Sequence, residues 1–199
     1  MSKLIFGLCA LITHALIPIG AHAATRTYEL EPAHSTVSFE VRNFGITKRR
    51  GVFDAVTGTV ALDSKSRDGL IDILVDARSV RTEDVAVQTF LRGSSFLNVG
   101  QFAEIAYRGE RIVFLGDAPS RIDGKLTLLG VTHDVTLTVS DYNCQEGSGS
   151  CVFNATASFR RSEFGMRQYL GLVSDEVRLD IHSVTREMPV IQLATSRDP

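Results

Sequence analysis

Residues 34–53, HSTVSFEVRNFGITKRRGVF, constrain the fold more than any other stretch of the chain. Val37, Phe39 and Val41 alternate with Ser38, Glu40 and Arg42. Successive side chains of a strand point to opposite faces, so this period predicts a strand with one buried and one wet face. Gly45 interrupts the run, Lys48-Arg49-Arg50 follow, and Gly51-Val52-Phe53 begin a second apolar run. The expectation is a long hairpin with an aromatic and aliphatic inner face and cations at its mouth. An oily interior with a charged rim suits a long lipid with a polar head.

The first residues read differently. Lys3 gives a positive start, residues 4–19 are mostly apolar, and Ala21-His22-Ala23 has the small-x-small form of a cleavage site. The apolar run is short for a membrane span. The expected organisation is a secretory signal peptide over 1–23, a single domain over 24–189 and a polar tail over 190–199. Export to the periplasm follows from that reading. The chain carries 21 Lys and Arg against 23 Asp and Glu, so no basic bias draws it to nucleic acid. Cys144 and Cys151 flank Gln-Glu-Gly-Ser-Gly-Ser, and in an exported chain they read as one disulfide stapling a hairpin tip.

Along the rest of the chain the strand period recurs. The second arm of the hairpin carries Val56, Val60 and Leu62, with Gly58 suggesting a bulge or bend. Ile71, Ile73, Val75 and Ala77 share one face of the next strand, against Asp72, Asp76 and Arg78. Thr82 reads as a helix cap, with Glu83 and Asp84 in the first turn and Val87, Phe90 and Leu91 at helical spacing. Strands resume over 105–115, a turn is expected at Pro119, and further strands cover 122–129, 135–139, 153–159 and 177–181. About eight strands with short turns and one helix predict an all-β fold. An antiparallel barrel is favoured because closure removes exposed edges, and the helix should pack across one end. Such a barrel is either filled by side chains or holds one small ligand. Ala55, Ala77, Ala155 and Ala157 are candidates for making room inside it.

These residues carry a resemblance. His34-Ser35 with Val37 and Phe39, Arg50-Gly51-Val52-Phe53, Ser79-Val80-Arg81-Thr82, and Phe90-Leu91-Arg92 with Phe96 and Val99 come first. Gly124-Lys125-Leu126-Thr127, Leu129-Gly130-Val131-Thr132, Arg161-Ser162-Glu163-Phe164-Gly165-Met166 and Ser174-Asp175-Glu176-Val177 follow in order. Together they resemble the YceI-like family of exported, lipocalin-like, polyisoprenoid-binding proteins. The resemblance implies an extended eight-stranded antiparallel lipocalin-like barrel with one short helix. It also implies a tunnel for a polyprenyl chain, the tail of a polyprenyl phosphate or a ubiquinone-type lipid. Asn43 stands where many members carry histidine, and Gln88 and Phe90 where many carry aspartate and histidine. Those exchanges remove polar groups near the pocket. The Phe164-Gly165-Met166 and Ser174-Asp175-Glu176-Val177 pieces are similar to members found beside b-type cytochromes, which implies a quinone tail and transient contact with the inner membrane or such a cytochrome.

The expected lipid lining is Val37, Phe39, Val41, Phe53, Ile73, Val75, Phe90, Leu91, Phe96, Phe102 and Phe164. Arg50, Arg92 and Arg161, with Arg167 nearby, are the candidate head-group cations, since an arginine fork suits a phosphate and a quinone carbonyl needs one donor. Enzyme readings have little to stand on. Adjacent residues such as His34 and Ser35 point to opposite faces of a strand, and no Gly-x-Ser-x-Gly elbow occurs. Neither HExxH nor a cysteine cluster marks a metal site, and no cofactor other than a bound lipid is expected. His34 should hold a turn near Pro32. The leading expectation is a non-catalytic periplasmic isoprenoid carrier. The alternative is an exported stress-response or interaction module with a filled barrel. A dimer is as compatible with the sequence as a monomer.

Overall fold

The computed structural model describes residues 26–63, 67–144 and 149–189. The signal peptide expected over 1–23 and the polar tail expected over 190–199 lie outside the described residues. The strands are β1 (Arg26–Leu30), β2 (Thr36–Asn43), β3 (Thr47–Phe53), β4 (Val56–Asp63), β5 (Asp68–Asp76) and β6 (Val80–Thr82). They continue with β7 (Glu104–Leu115), β8 (Ala118–Leu128), β9 (Val131–Cys144), β10 (Ser150–Arg160) and β11 (Glu176–Glu187), and the helix is α1 (Val85–Arg92).

These eleven segments make one closed antiparallel sheet, because three pairs of them are single strands with a bend. β1 and β2 share one edge of β11, at Leu30↔Thr185 and Val37↔Ile181. β4 pairs with β1 and β3 with β2; β5 then pairs with β4 and β6 with β3. Joining the bent pairs leaves eight strands that run from β1/β2 through β3/β4, β5/β6 and β7 to β11 and back. The barrel expected from the alternating pattern is therefore the fold observed.

Each bend has a chemical cause. Pro32 cannot donate to a ladder, and residues Pro32–His34 form one 3-10 turn. The gap it opens opposite Val184 is filled by two other groups. The Glu31 amide donates to the Val184 carbonyl at 2.8 Å, and the fully buried Ser35 hydroxyl bonds the Val184 carbonyl and accepts from its amide, at 3.3 and 3.2 Å. Ser35 thus stands in for missing backbone groups. The other two bends, β3/β4 at Ala55 and β5/β6 at residues 76–79, are tied to each other by the Asp76 amide to the Ala55 carbonyl at 3.0 Å and by the Ala55 amide to the Ser79 hydroxyl at 3.3 Å.

Several local expectations change. Gly58 marks neither a bulge nor a register slip in the β4–β5 ladder. A Cβ there would lie 2.3 Å from the Asp72 carbonyl oxygen, so glycine is required by a close approach, at φ 155°. β6 runs through Thr82, which moves the helix cap to Asp84. Its carboxylate accepts from the amides of Ala86 and Val87 at 2.7 and 3.4 Å. Pro119 lies inside β8 rather than at the turn, beside the register shift at Val113/Phe114. The disulfide Cys144–Cys151 is present, joining directly opposed residues of β9 and β10.

Candidate functional site

The inner faces of the strands enclose a cavity of about 470 Å³, a size in the usual range for sites that take one small molecule. It runs the length of the barrel. At one end it is bounded by Leu62, Tyr142 and Cys151, and at the other by Asn43, Arg49, Thr82, Asp84 and Val173. Five lining residues are exposed, namely Arg49, Arg50, Asp84, Val87 and Phe90. All five sit on β3 or at the start and inner face of α1, so this is the end that opens to solvent.

The strand period explains the wall. Val37, Phe39 and Val41 face inward from β2, and Ile71, Ile73 and Val75 from β5. Phe39 and Phe53 meet across the hairpin with ring centroids 5.6 Å apart. The buried wall carries hydroxyls on Tyr28, Tyr107, Ser183 and Thr185, and that of Thr185 donates to the Cys151 carbonyl at 3.3 Å. The Tyr107 phenol donates to the carbonyls of Ile122 or Val135, at 3.2 and 3.1 Å, and burial pushes its pKa up. It is thus occupied by backbone rather than offered to a ligand.

Of the expected lining residues, Val37, Phe39, Val41, Phe53, Ile73, Val75, Phe90, Leu91 and Phe96 border the cavity. Phe102 does not. It packs near Gly130, where a Cβ would meet its ring at 3.1 Å. Phe164 is fully buried, but it lies edge-on to Phe159 and His133, with centroids 5.1 Å away in both cases, and forms part of the solid core outside the bore. The alanines expected to make room do not border the cavity; Ala77 and Ala155 are close-packed at 1% and 2% exposure. The room comes instead from the absence of anything larger between the opposite walls.

The head-group cations need correcting too. Arg161 is 2% exposed, and its guanidinium donates to four carbonyls: Ser174 at 3.0 Å, Met166 at 2.7 Å, Gln168 at 2.8 Å and Val173 at 3.1 Å. Burial pushes its pKa down and the Asp175 carboxylate opposes this, but a guanidinium stays cationic. Its fork is consumed in holding the 166–174 loop, and its flat side lies 5.8 Å from the Phe96 ring centroid. Arg92 binds the carbonyls of Arg78 and Val80 at 2.8 and 3.1 Å, which fastens α1 to β6, and it does not reach the cavity. Arg50 touches the rim but belongs to the outer face, where it pairs with Glu40 at 3.0 Å.

Arg161 borders the cavity with its fork spent on carbonyls, and the inward cation that makes no ion pair among the described residues is Arg49. It sits opposite Val41 on the hairpin, on the same face as Phe53, and borders the mouth. The parity that pointed Val41 and Phe53 inward also points Arg49 inward, so the signal was in the sequence. Two of the family departures also reach the mouth. Asn43 borders it, and Phe90 meets Phe96 and Tyr169 in tilted contacts at 5.2 and 5.6 Å between centroids, while Gln88 lies off the cavity.

None of the described histidines borders the cavity. His34 is exposed and ends the turn over Pro32–His34, where its ring meets the Glu31 carboxylate at 3.2 Å. His133 bonds the Glu163 carbonyl at 3.1 Å, and His182 the Asn154 side chain at 2.7 Å. No group of three His, Cys, Asp or Glu side chains comes together among the described residues.

Comparisons with known proteins agree with this architecture. A UPF0312 protein of Shewanella sp. (strain W3-18-1) is 29% identical over 170 residues, covering 83% of this chain and 89% of the relative. The crystal structure of Burkholderia cenocepacia BcnA superposes with a TM-score of 0.65 at 23% identity, over 78% of this chain and 98% of that one. A polyisoprenoid-binding domain from Saccharophagus degradans gives the same TM-score at 13% identity, over 81% of this chain and 98% of that domain. At these identities the two structures speak to the fold alone. The model of the YceI-like domain matches residues 28–185, and the chain belongs to the YceI-like family.

Proposed function

We propose that the protein is a periplasmic isoprenoid-lipid carrier that holds a polyprenyl chain in its bore and performs no catalysis. The observation that carries this reading is the continuous apolar cavity, open at one end, in whose wall the buried Arg161 and Tyr107 are both bonded to backbone carbonyls rather than offered to a ligand. Burying apolar surface is worth about 25 cal/mol per Å². A prenyl chain leaving a bilayer forfeits that unless the receiving wall is equally apolar. The inner faces of β2, β3 and β5 supply such a wall.

The solved domain of the same fold from Saccharophagus degradans, described as polyisoprenoid-binding, supports the same ligand class. The signal-peptide pattern of the sequence over 1–23 supports the periplasm. Arg49 at the mouth offers a fork for a phosphate head, and a quinone would use the same donor for one carbonyl. The tail of a ubiquinone-type lipid and a polyprenyl phosphate both fit this account, with the inner membrane or a b-type cytochrome as the source. An interaction module with a filled barrel is the poorer reading, because the barrel is hollow.

The test is to purify the exported protein without detergent and extract it for mass spectrometry. One polyprenoid per protein is the expected result. Repeated empty preparations, together with failure to take up polyprenyl phosphate or quinone from solution, would overturn the proposal.

A further inference from the structure

One side of the mouth carries large apolar side chains left largely exposed. β2 and β3 are joined by Phe44-Gly45-Ile46, with Phe44 and Gly45 both at positive φ, 51° and 69°. This tight tip presents Phe44 and Ile46 at 70% and 85% exposure. It is fixed to the loop after Gly165. The Phe44 amide donates to the Leu172 carbonyl at 2.7 Å, and Asn43 bridges to Val173. That brings Leu170 and Leu172, at 45% and 49% exposure, alongside the tip. Single exposed apolar residues are ordinary on a protein surface, but a contiguous set around a cavity mouth marks a contact site.

Cations predominate beside this set. Arg42, Lys48, Arg49 and Arg50 lie on the same hairpin, and Arg167 is exposed on the adjoining loop. Glu40 is the hairpin's carboxylate, and Lys48 and Arg50 already cover it at 3.1 and 3.0 Å. Arg42 and Arg49 make no ion pair among the described residues. Glu83 and Asp84 lie across the mouth at the start of α1, and the Asp84 carboxylate is turned onto the helix amides. The hairpin side is therefore both the oily and the cationic side.

We propose that this hairpin tip and the adjoining loop dock the open end of the barrel on an anionic phospholipid bilayer. The inference rests on the carrier reading and says how the carrier meets its donor. Basic side chains held near an anionic leaflet gain a screened attraction, and apolar side chains beside them enter the head-group region. Phe44 and Ile46 would seat in that region, with Arg42 and Lys48 against the phosphates and the bore facing the lipid. A prenyl chain could then pass into the cavity without crossing water.

The experiment uses the full mature chain and sedimentation with vesicles of phosphatidylcholine, with and without phosphatidylglycerol. Both vesicle types lack isoprenoid, so docking is read separately from cargo. Binding is expected only with phosphatidylglycerol, weakening as salt rises. The double substitution Phe44→Ser/Ile46→Ser should lower it about tenfold, while circular dichroism and the lipid recovered by mass spectrometry stay as in the parent. Equal binding by parent and variant, or no binding to anionic vesicles by a parent that still carries lipid, would overturn docking and leave the carrier reading standing. Dimers in analytical ultracentrifugation that the double substitution abolishes would also overturn it, by making the tip a contact between copies.

Discussion

The Phe39 ring lies directly over Gly51 of the neighbouring strand, so closely that a Cβ at position 51 would fall 2.4 Å from the ring Cζ. The two residues are register partners on the cavity face of the β2–β3 hairpin. Glycine is present there to make space, not for an unusual φ. Gly51→Val should push the ring into the bore at a cost of about 1–3 kcal/mol, the usual range for overpacking. A urea midpoint and a lipid-loading assay on the same preparation check this, and unchanged loading would mean that Phe39 has somewhere else to go.

Filling and charging the bore should separate stability from uptake. Val37 borders the cavity and is only partly buried, so Val37→Phe adds volume where room exists. Cavity-filling changes commonly stabilise by about 0.5–2 kcal/mol. The variant is therefore expected to melt no lower than the parent while holding less lipid. Phe39→Asp leaves the bore open but puts a carboxylate on its wall, which a prenyl chain cannot solvate. It should lose uptake altogether. Retained uptake in both variants would place the lipid elsewhere.

The barrel was legible because its strands alternate over long runs, as Val37, Phe39 and Val41 do on β2. The bends were less legible. Nothing local says that Ser35 completes a ladder with Val184, 149 positions away. The site was legible in proportion to regularity. The β2, β3 and β5 lining residues were identifiable by parity, whereas Phe102 and Phe164 lie outside regular strands and their direction is set by tertiary packing. Arg161 reads as a free cation in any sequence, since its partners are carbonyls that carry no residue signature. Arg49 could have been found by counting from Val41 across a three-residue turn. Thr82 and Asp84 are both good caps, and the extent of β6 chose between them.

Arg161 and Arg49 should behave as opposites. Arg161→Met leaves four loop carbonyls without their donor, and removing one member of a buried charged network costs about 3–5 kcal/mol. Equilibrium unfolding should report that loss. Arg49→Ala, at an exposed position without an ion pair among the described residues, should stay within about 0.5 kcal/mol of the parent. Its expected effect is on retention, weakening a phosphate-headed prenyl lipid more than a quinone. Equal stability of the two variants would contradict the assignment of Arg161 to the loop.

The Cys144–Cys151 bond closes a short loop between strands already in register. Chain-entropy arguments for a loop of this size give about 2 kcal/mol, so reduction should lower the melting point without unfolding the barrel. Thiol titration of the exported protein under denaturing conditions should find this pair oxidised. Cys151 borders the cavity at the end away from the mouth, so reduction should leave the mouth and its lipid exchange unaffected.

Glu40 supplies a pH dependence whose sign can be worked out. The Lys48 ammonium, bonded at 3.1 Å, holds the carboxyl below its ordinary value; burial opposes this and the Arg50 guanidinium adds to it. A lowered folded-state pKa means that the unfolded chain binds the proton first as pH falls. The stabilisation is then complete above the ordinary value of 4.5 and disappears as pH drops through the folded value. Glu40→Gln removes this contribution and little else, since the outer face of the hairpin keeps its shape. The gap in melting temperature between parent and variant should be constant from pH 7 to about 5.5 and close toward pH 3, and added salt should narrow it at neutral pH. Other carboxylates, Asp123 held down first by Arg111 among them, also lose stabilisation in acid. The difference between the two proteins isolates Glu40 from them. A gap that persists unchanged at pH 3 would show that the hairpin does not depend on this charge.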